Sequence, residues 1–321
     1  MISENDNVKT NSLEAWILAA RPKTLTGASV PVMIGVAMAI KTANWNSFQV
    51  LPAILCFLFA FLMQIDSNLI NDYFDCIHGN DDVSTRLGPK RACAEGWITL
   101  PVMRRGLVIV SAVACLIGLP LVWYGGWEMI IVGAVCVLFA FLYTTFFSYK
   151  GLGDLLVLIF FGIVPVYFTW WVCIPENLQG FDICVLSMGV ACGIIIDTLL
   201  LVNNYRDRDN DKRDGKMTLV VRIGAKKTEK LYMYIADVAE IDIFCSFLSF
   251  GELSILGAVV FTVLFLLYYF PHTMTTKKLI AINHGKALNM VLGMTARDMF
   301  IFGLVTVAQI LLLYEPINVW E

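Results

Sequence analysis

The chain has 321 residues, 58% hydrophobic and 15% charged, with a mean hydropathy of +0.73 and a formal net charge of -3. Soluble domains carry about 25% charged residues, so this composition excludes a soluble globular protein. What remains is an all-α integral membrane protein, because the apolar runs are too long and uniform for barrel strands of roughly ten alternating residues.

In chain order, residues 1–15 form a polar tail without a small-residue cleavage site, which argues against a signal peptide. Residues 16–321 read as one membrane domain. A first span begins near Trp16 or Leu25, with a kink expected at Pro31, and a second runs from about Phe48 to Ile70. A long polar loop, Asn71 to Arg105, precedes spans at about Gly106–Tyr124 and Met129–Phe147, which the tight YGGWE turn joins. Further spans follow at about Leu155–Ile174 and Ile183–Val202. A charged island at Asn203–Gly224 comes next, and then spans near Leu231–Phe250, Ile255–Phe270 and Met290–Tyr314. Each approaches the roughly 20 residues a bilayer requires, about nine transmembrane helices in all. Asp237, Glu240 and Asp242 interrupt the seventh span and are expected to face the bundle interior or a wet cavity.

The basic residues support this arrangement. With the N-terminus inside, 21 of the 23 Lys and Arg fall in inside segments, leaving Lys41 and the intraspan Arg297. Such a bias predicts a cytoplasmic N-terminus. Nine cysteines form no CxxC pair and read as small buried hydrophobes, and the three histidines lack zinc-ligand spacing.

Two inside loops carry the chemistry. The first opens Asn71-Asp72-Tyr73-Phe74-Asp75 and the second Asn203-Asn204-Tyr205-Arg206-Asp207, an N-x-Y-x-D pattern repeated 132 residues apart. If the helices continue into the loops, Asn71 and Asp75 share one face, as do Asn203, Asp207 and Asp211. Hard oxygen ligands on two facing helix ends suit Mg²⁺, which takes one or two carboxylates together with substrate phosphate oxygens. Lys90, Arg91, Lys150, Arg206, Arg208, Lys212, Arg213 and Lys216 lie near these acids and suit a metal-bound polyphosphate. A topogenic role for any one of these bases is the alternative. No Walker or GxGxxG motif is present, so a nucleotide is not indicated.

Four stretches carry a family resemblance: AARPKTL at 19–25, SNLINDYFDCIHGNDD at 67–82 with RLGPKRACAEGWIT after it, YKGLGDLLVLIFFG at 149–162, and NNYRDRDNDKRDGKMTLVVRIG at 203–224. Together they resemble the membrane-embedded aromatic prenyltransferases of the UbiA superfamily, most closely the 1,4-dihydroxy-2-naphthoate polyprenyltransferases of menaquinone biosynthesis. One departure is visible. The broad NDxxDxxxD pattern expects an acid at position 79, where this chain has glycine, and the next acid is Asp81.

The resemblance implies a UbiA-type bundle in a bacterial inner membrane and a Mg²⁺-dependent enzyme. Asn71 and Asp75, with Asp72 or Asp81, would hold one metal, and Asp207 with Asp211 a second. Lys90, Arg91, Lys150, Asn203, Arg206 and Lys216 would receive the diphosphate of a polyprenyl donor, with Asp75, Asp207 and Lys150 as the catalytic set. Arg21 and Lys23 would recognise the carboxylate of 1,4-dihydroxy-2-naphthoate. Tyr143, Phe146, Phe147 and Tyr149 would shelter the allylic cation. The product would be demethylmenaquinol, with the prenyl tail lying between helices towards membrane lipid. Other acceptors, 4-hydroxybenzoate or homogentisate, stay open. A lipid-alcohol phosphotransferase lacks its compact motif here. A secondary transporter, using acids such as Asp197, would place its site nearer the bilayer midplane.

Overall fold

The computed structural model describes residues 8–79, 86–143, 147, 150–250 and 253–315. Among these the regular structure is entirely helical. The helices are α1 (Leu13–Ala20), α2 (Leu25–Ser47), α3 (Val50–His78), α4 (Leu100–Gly118), α5 (Val122–Gly125), α6 (Glu128–Leu142), α7 (Gly153–Val157), α8 (Val164–Cys173), α9 (Ile183–Arg213), α10 (Leu219–Ile223), α11 (Ala225–Phe250), α12 (Ile255–Ile282) and α13 (Leu288–Leu313). A π-helical stretch, Leu158–Ile163, joins α7 to α8.

Seven helical stretches among the described residues are long and apolar enough to cross a membrane. Of the other two expected crossings, α6 is apolar but 15 residues long. The second, α11, has 26 residues, and its acids keep it from being uniformly apolar. Its buried residues Tyr232, Ile235, Ala236, Ala239, Ile243 and Phe247 recur at helical spacing and form one inward stripe. Glu240 lies on that stripe, buried, and accepts a hydrogen bond from Gln309 of α13. The interior placement expected for that acid is what the packing provides.

Length explains where the functional ends lie. At 1.5 Å per residue, α3 and α9 are roughly 45 Å long, well beyond a hydrocarbon core of about 30 Å. Their last turns therefore project past the apolar layer and carry the two polar motifs. Gly79 closes α3 in the left-handed region (φ 71°), with its N–H turned back to the carbonyls of Asp75 and Cys76. The start of α9 is capped by Asp182, whose carboxylate accepts from the amides of Cys184 and Val185. Pro31, expected to kink the first span, keeps helical backbone angles. The non-helical residue inside α2 is Asn44 (φ 59°, ψ 161°), a residue type that tolerates the left-handed side of the map.

The core is formed by α2, α8, α9, α11, α12 and α13. The π-helical stretch lies directly on α9, because glycines remove the side chains between them. A Cβ at Gly162 would fall 2.4 Å from the Gly189 carbonyl oxygen and from Gly193 Cα, and one at Gly193 would fall 2.6 Å from the Leu158 carbonyl oxygen. Such backbone approach is the packing that small residues permit inside membranes. A second apolar cluster, including Ala15, Ala19, Leu69, Ile98 and Met103, holds the described end of the first polar loop against α1, α3 and α4.

Candidate active site

The C-terminal ends of α3 and α9 face one cavity of about 760 Å³, within the usual range for a small-molecule site. Asn71 and Asp75 reach it from α3, and Asn203, Asp207 and Asp211 from α9. The spacing of four that suggested shared faces is the spacing that brings these side chains to the same wall.

Each side pairs an acid with a cation. Arg91 Nη2 donates to Asp75 Oδ2 at 3.2 Å. Arg206 binds its neighbour Asp207 through two parallel bonds, Nε to Oδ1 at 2.9 Å and Nη2 to Oδ2 at 2.6 Å. Both guanidiniums are buried, Arg91 to 8% exposure and Arg206 to 5%. Lys216 Nζ lies 3.9 Å from Asp211 Oδ1, while Asp211 Oδ2 is buried without a hydrogen-bond partner. Arg21, Arg86 and Arg91 line the same end of the cavity. Burial first, and then the Arg91 charge, push the Arg86 guanidinium down to about 10. It remains charged at neutral pH, and an anion entering here would relieve the repulsion among these cations.

Local structure aims Arg21. It ends α1 with a left-handed backbone (φ 52°, ψ 68°), a conformation uncommon for a residue with a side chain. Asn68 of α3 fixes the turn, donating to the Ala20 carbonyl at 3.0 Å and to Thr24 Oγ1 at 2.9 Å. Arg21 Nη2 is buried with no hydrogen-bond partner. Away from this polar end the lining is apolar, with Phe59, Met63, Leu119, Val132, Phe160 and Phe168. One chamber thus offers a cationic, carboxylate-bearing end and a greasy continuation.

Several expected residues lie elsewhere. Asp72 does not reach the cavity; it is 1% exposed, and its two oxygens accept from the amides of Ala92 at 2.8 Å and Cys93 at 2.9 Å. That corrects its place among the metal ligands: both oxygens are occupied in anchoring the loop that presents Arg91 to Asp75. Lys23 is exposed on the turn after Arg21, outside the cavity lining. Lys90 is also outside it, with Nζ 3.8 Å from Glu95 and 5.9 Å from the Trp97 ring centre. Lys150 is exposed and away from the lining, and its main-chain carbonyl accepts from Arg222 Nη2 at 2.8 Å. Closeness to the motifs in the chain does not aim these three lysines into the cavity. Asp81, Phe146 and Tyr149 fall outside the described residues. Phe147 stacks on Phe139, centroids 5.7 Å apart, whereas Tyr143 borders the cavity. Asp197 is buried at 8% exposure and does not line the cavity.

Other lining residues were missed. Asn210 and Asp214 lie seven and eleven residues after Asn203, a helical continuation that the spacing could have revealed. Asn68, three residues before Asn71 and seven before Asp75, carries the same signal, whereas Arg86 carried none, because long-range packing places it.

Among the described residues no group of three or more His, Cys, Asp or Glu side chains is close enough to hold a metal ion. The carboxylates instead form two facing partial sets, Asp75 with the Asn71 amide and Asp207 with Asp211. That arrangement fits Mg²⁺ carried with phosphate oxygens and water, and does not fit an all-protein cage.

The chain matches the UbiA prenyltransferase family over residues 28–280. It is 37% identical to a 1,4-dihydroxy-2-naphthoate octaprenyltransferase of Escherichia coli over 66% of this chain and 69% of that protein. With the corresponding protein of Mycobacterium tuberculosis it is 34% identical over 71% of this chain and 76% of that one. A UbiA homolog from Archaeoglobus fulgidus, solved bound to DMAPP and Mg²⁺, shares the fold with a TM-score of 0.60 at 14% identity, covering 91% of this chain and 99% of that one.

Proposed function

Since the chain belongs to the UbiA prenyltransferase family, we propose that it transfers a polyprenyl group from polyprenyl diphosphate to 1,4-dihydroxy-2-naphthoate, with loss of the carboxylate, in menaquinone biosynthesis. The observation that carries this reading is the single cavity whose cationic end bears two facing carboxylate sets and whose other end is apolar. It suits a ligand with an anionic diphosphate head and a hydrocarbon tail. The names of the relatives at 34–37% identity supply the naphthoate.

Asn71 with Asp75, and Asp207 with Asp211, would hold Mg²⁺, which when bound would neutralise charge on the departing diphosphate. Arg86, Arg91, Arg206 and Lys216 take the remaining phosphate oxygens through charge-assisted hydrogen bonds. The allylic C–O bond then breaks with its electron pair going to the diphosphate. These cations act where negative charge develops, typically the largest contribution to catalysis. The ring carbon attacks the allylic cation, and release of CO₂ returns the electron pair that restores aromaticity. Tyr143 at the cavity wall offers its ring face to the cation. Arg21, fixed by Asn68, binds the acceptor carboxylate through the buried Nη2. The protein acts in a bacterial inner membrane with its N-terminus in the cytoplasm, consistent with the bias of basic residues.

The deciding experiment is an acceptor panel with one prenyl diphosphate in membranes containing the protein. 1,4-Dihydroxy-2-naphthoate is expected to give a prenylated naphthoquinone. Turnover of only 4-hydroxybenzoate or homogentisate would reject the naphthoate and keep the prenyl donor. In the same assay Arg21→Ala is expected to raise the KM of the naphthoate by about tenfold, the worth of one charge-assisted hydrogen bond, with little change for the diphosphate. Equal losses for the two substrates would remove Arg21 from the acceptor site.

A further inference from the structure

The turn between α12 and α13 supplies none of the expected site residues, yet it reaches back to the polar end of the cavity. Asn289, in the first turn of α13, uses both ends of its carboxamide. Its Oδ1 accepts from Arg206 Nη1 at 2.8 Å, and its Nδ2 donates to the Leu87 carbonyl at 2.8 Å. One side chain therefore joins α9 to the loop that carries Arg86 and Arg91. The loop backbone lies against the same guanidinium, since a Cβ at Gly88 would sit 2.8 Å from Arg206 Nη2.

The turn is tied to α9 a second time. Arg208 Nη2 donates to Asn283 Oδ1 at 2.9 Å, and its Nη1 donates to the Tyr205 carbonyl at 2.6 Å. The Arg208 guanidinium also covers the Tyr205 ring at 4.4 Å. These contacts hold the end of α12, at its C-cap Asn283, against the second motif. Asn289 lies beyond residue 280, where the family match ends.

We propose that Asn289 is a positioning residue: it clamps Arg206 and the Leu87–Gly88 backbone to each other and so sets the distance between the two cationic walls that receive the diphosphate. The proposal rests on the diphosphate reading given above. Three of the five guanidinium donors of Arg206 are engaged, two by Asp207 and one by Asn289. When Asp207 turns to another partner, the Asn289 bond still holds the arginine in place. A long side chain fixed before binding loses less freedom on binding, which favours affinity for the anion it meets. The carboxamide is the group that serves here, because it must accept from a cation and donate to a carbonyl at once.

The test uses the full-length protein in membranes, with Mg²⁺ and inorganic pyrophosphate as a competitor of the prenyl diphosphate. Asn289→Leu keeps the shape and removes both bonds; Asn289→Asp keeps the bond to Arg206 and removes the donor to Leu87. Asn289→Leu is expected to raise both the KM of the prenyl diphosphate and the inhibition constant of pyrophosphate by about tenfold. The KM of the aromatic acceptor should change less than twofold. Asn289→Asp should fall between Asn289→Leu and the wild type, a graded rescue that a merely structural role would not give. Should Asn289→Leu fail to insert, Asn289→Asp and Gly88→Ala decide, the latter pressing on Arg206 and weakening pyrophosphate selectively. Unchanged pyrophosphate inhibition in these variants, or equal shifts for both substrates, overturns the proposal. A wild-type protein indifferent to pyrophosphate overturns the donor reading itself, and this proposal with it.

Discussion

Asp75→Asn and Asp207→Asn are each expected to reduce prenyl transfer by a factor on the order of 10² to 10³, the loss seen when one preorganised stabiliser of transition-state charge is removed. The two carboxylates stand on opposite walls of the polar end, each already paired with a buried arginine. Asparagine is the informative replacement. It preserves side-chain shape and keeps one accepting oxygen for the arginine, losing one of the two parallel bonds at Arg206, whereas alanine would remove every bond from that position to the buried guanidinium, the more destabilising change. Turnover should therefore collapse while membrane insertion and the thermal transition stay near those of the wild type. Either variant retaining near-normal turnover would make that motif structural. Equal severity on both walls is the specific expectation, because the diphosphate must be neutralised from both sides before the C–O bond breaks.

Chelation of Mg²⁺ should lower turnover to background, with full recovery when the ion is returned. The two partial carboxylate sets add a sharper expectation. Among the described residues neither contains three acids, so the metal should bind weakly to the protein alone and more tightly once phosphate oxygens complete its shell. Pyrophosphate should then tighten Mg²⁺ binding, and Mg²⁺ should tighten pyrophosphate binding by the same factor, as linkage requires. Titration calorimetry in detergent reads both halves of that relation. Full activity in a chelator would remove the metal from the mechanism. Tight Mg²⁺ binding without pyrophosphate would contradict the divided arrangement of ligands.

Much of the site was legible because helical periodicity survives into the loops. Asn71 and Asp75, and Asn203, Asp207 and Asp211, are separated by whole turns, and a repeat of that spacing at two helix ends implied one shared chamber. Asp72 shows where that legibility stops. It adjoins Asn71, yet one residue along a helix is a rotation of about 100°, enough to turn it towards the Ala92 and Cys93 amides. Only the folded position of residues 92 and 93, twenty positions later, decides its role. Lys23, Lys90 and Lys150 lie outside the cavity lining for another reason: a bias of basic residues can serve topology as well as ligand binding, and composition cannot separate the two duties. Asn289 was invisible because its partners lie 83 and 202 positions away in the chain. The charged helix α11 is not among the seven stretches apolar enough to cross, because its acids lower its hydropathy, although its buried stripe packs into the bundle.

The π-helical stretch at Leu158–Ile163 has a consequence for which length changes the chain can tolerate. A π turn holds more residues than an α turn over the same rise, so the stretch stores surplus chain inside one continuous rod from α7 to α8. Phe160 and Phe161 lie in the surplus, and Pro165 and Phe168 lie beyond it; all four line the cavity. Removing one residue there would let the rod revert to α geometry with little net rotation, because the extra residue of a π turn is absorbed by a smaller turn per residue. A deletion in the α-helical segments beside it has no surplus to draw on and rotates one side against the other by about 100°, parting the glycine contacts with α9 from the aromatic wall. The π stretch is thus the place on this rod where a single residue can be lost without turning the chamber's lining, whereas its α-helical neighbours tolerate substitution far better than loss.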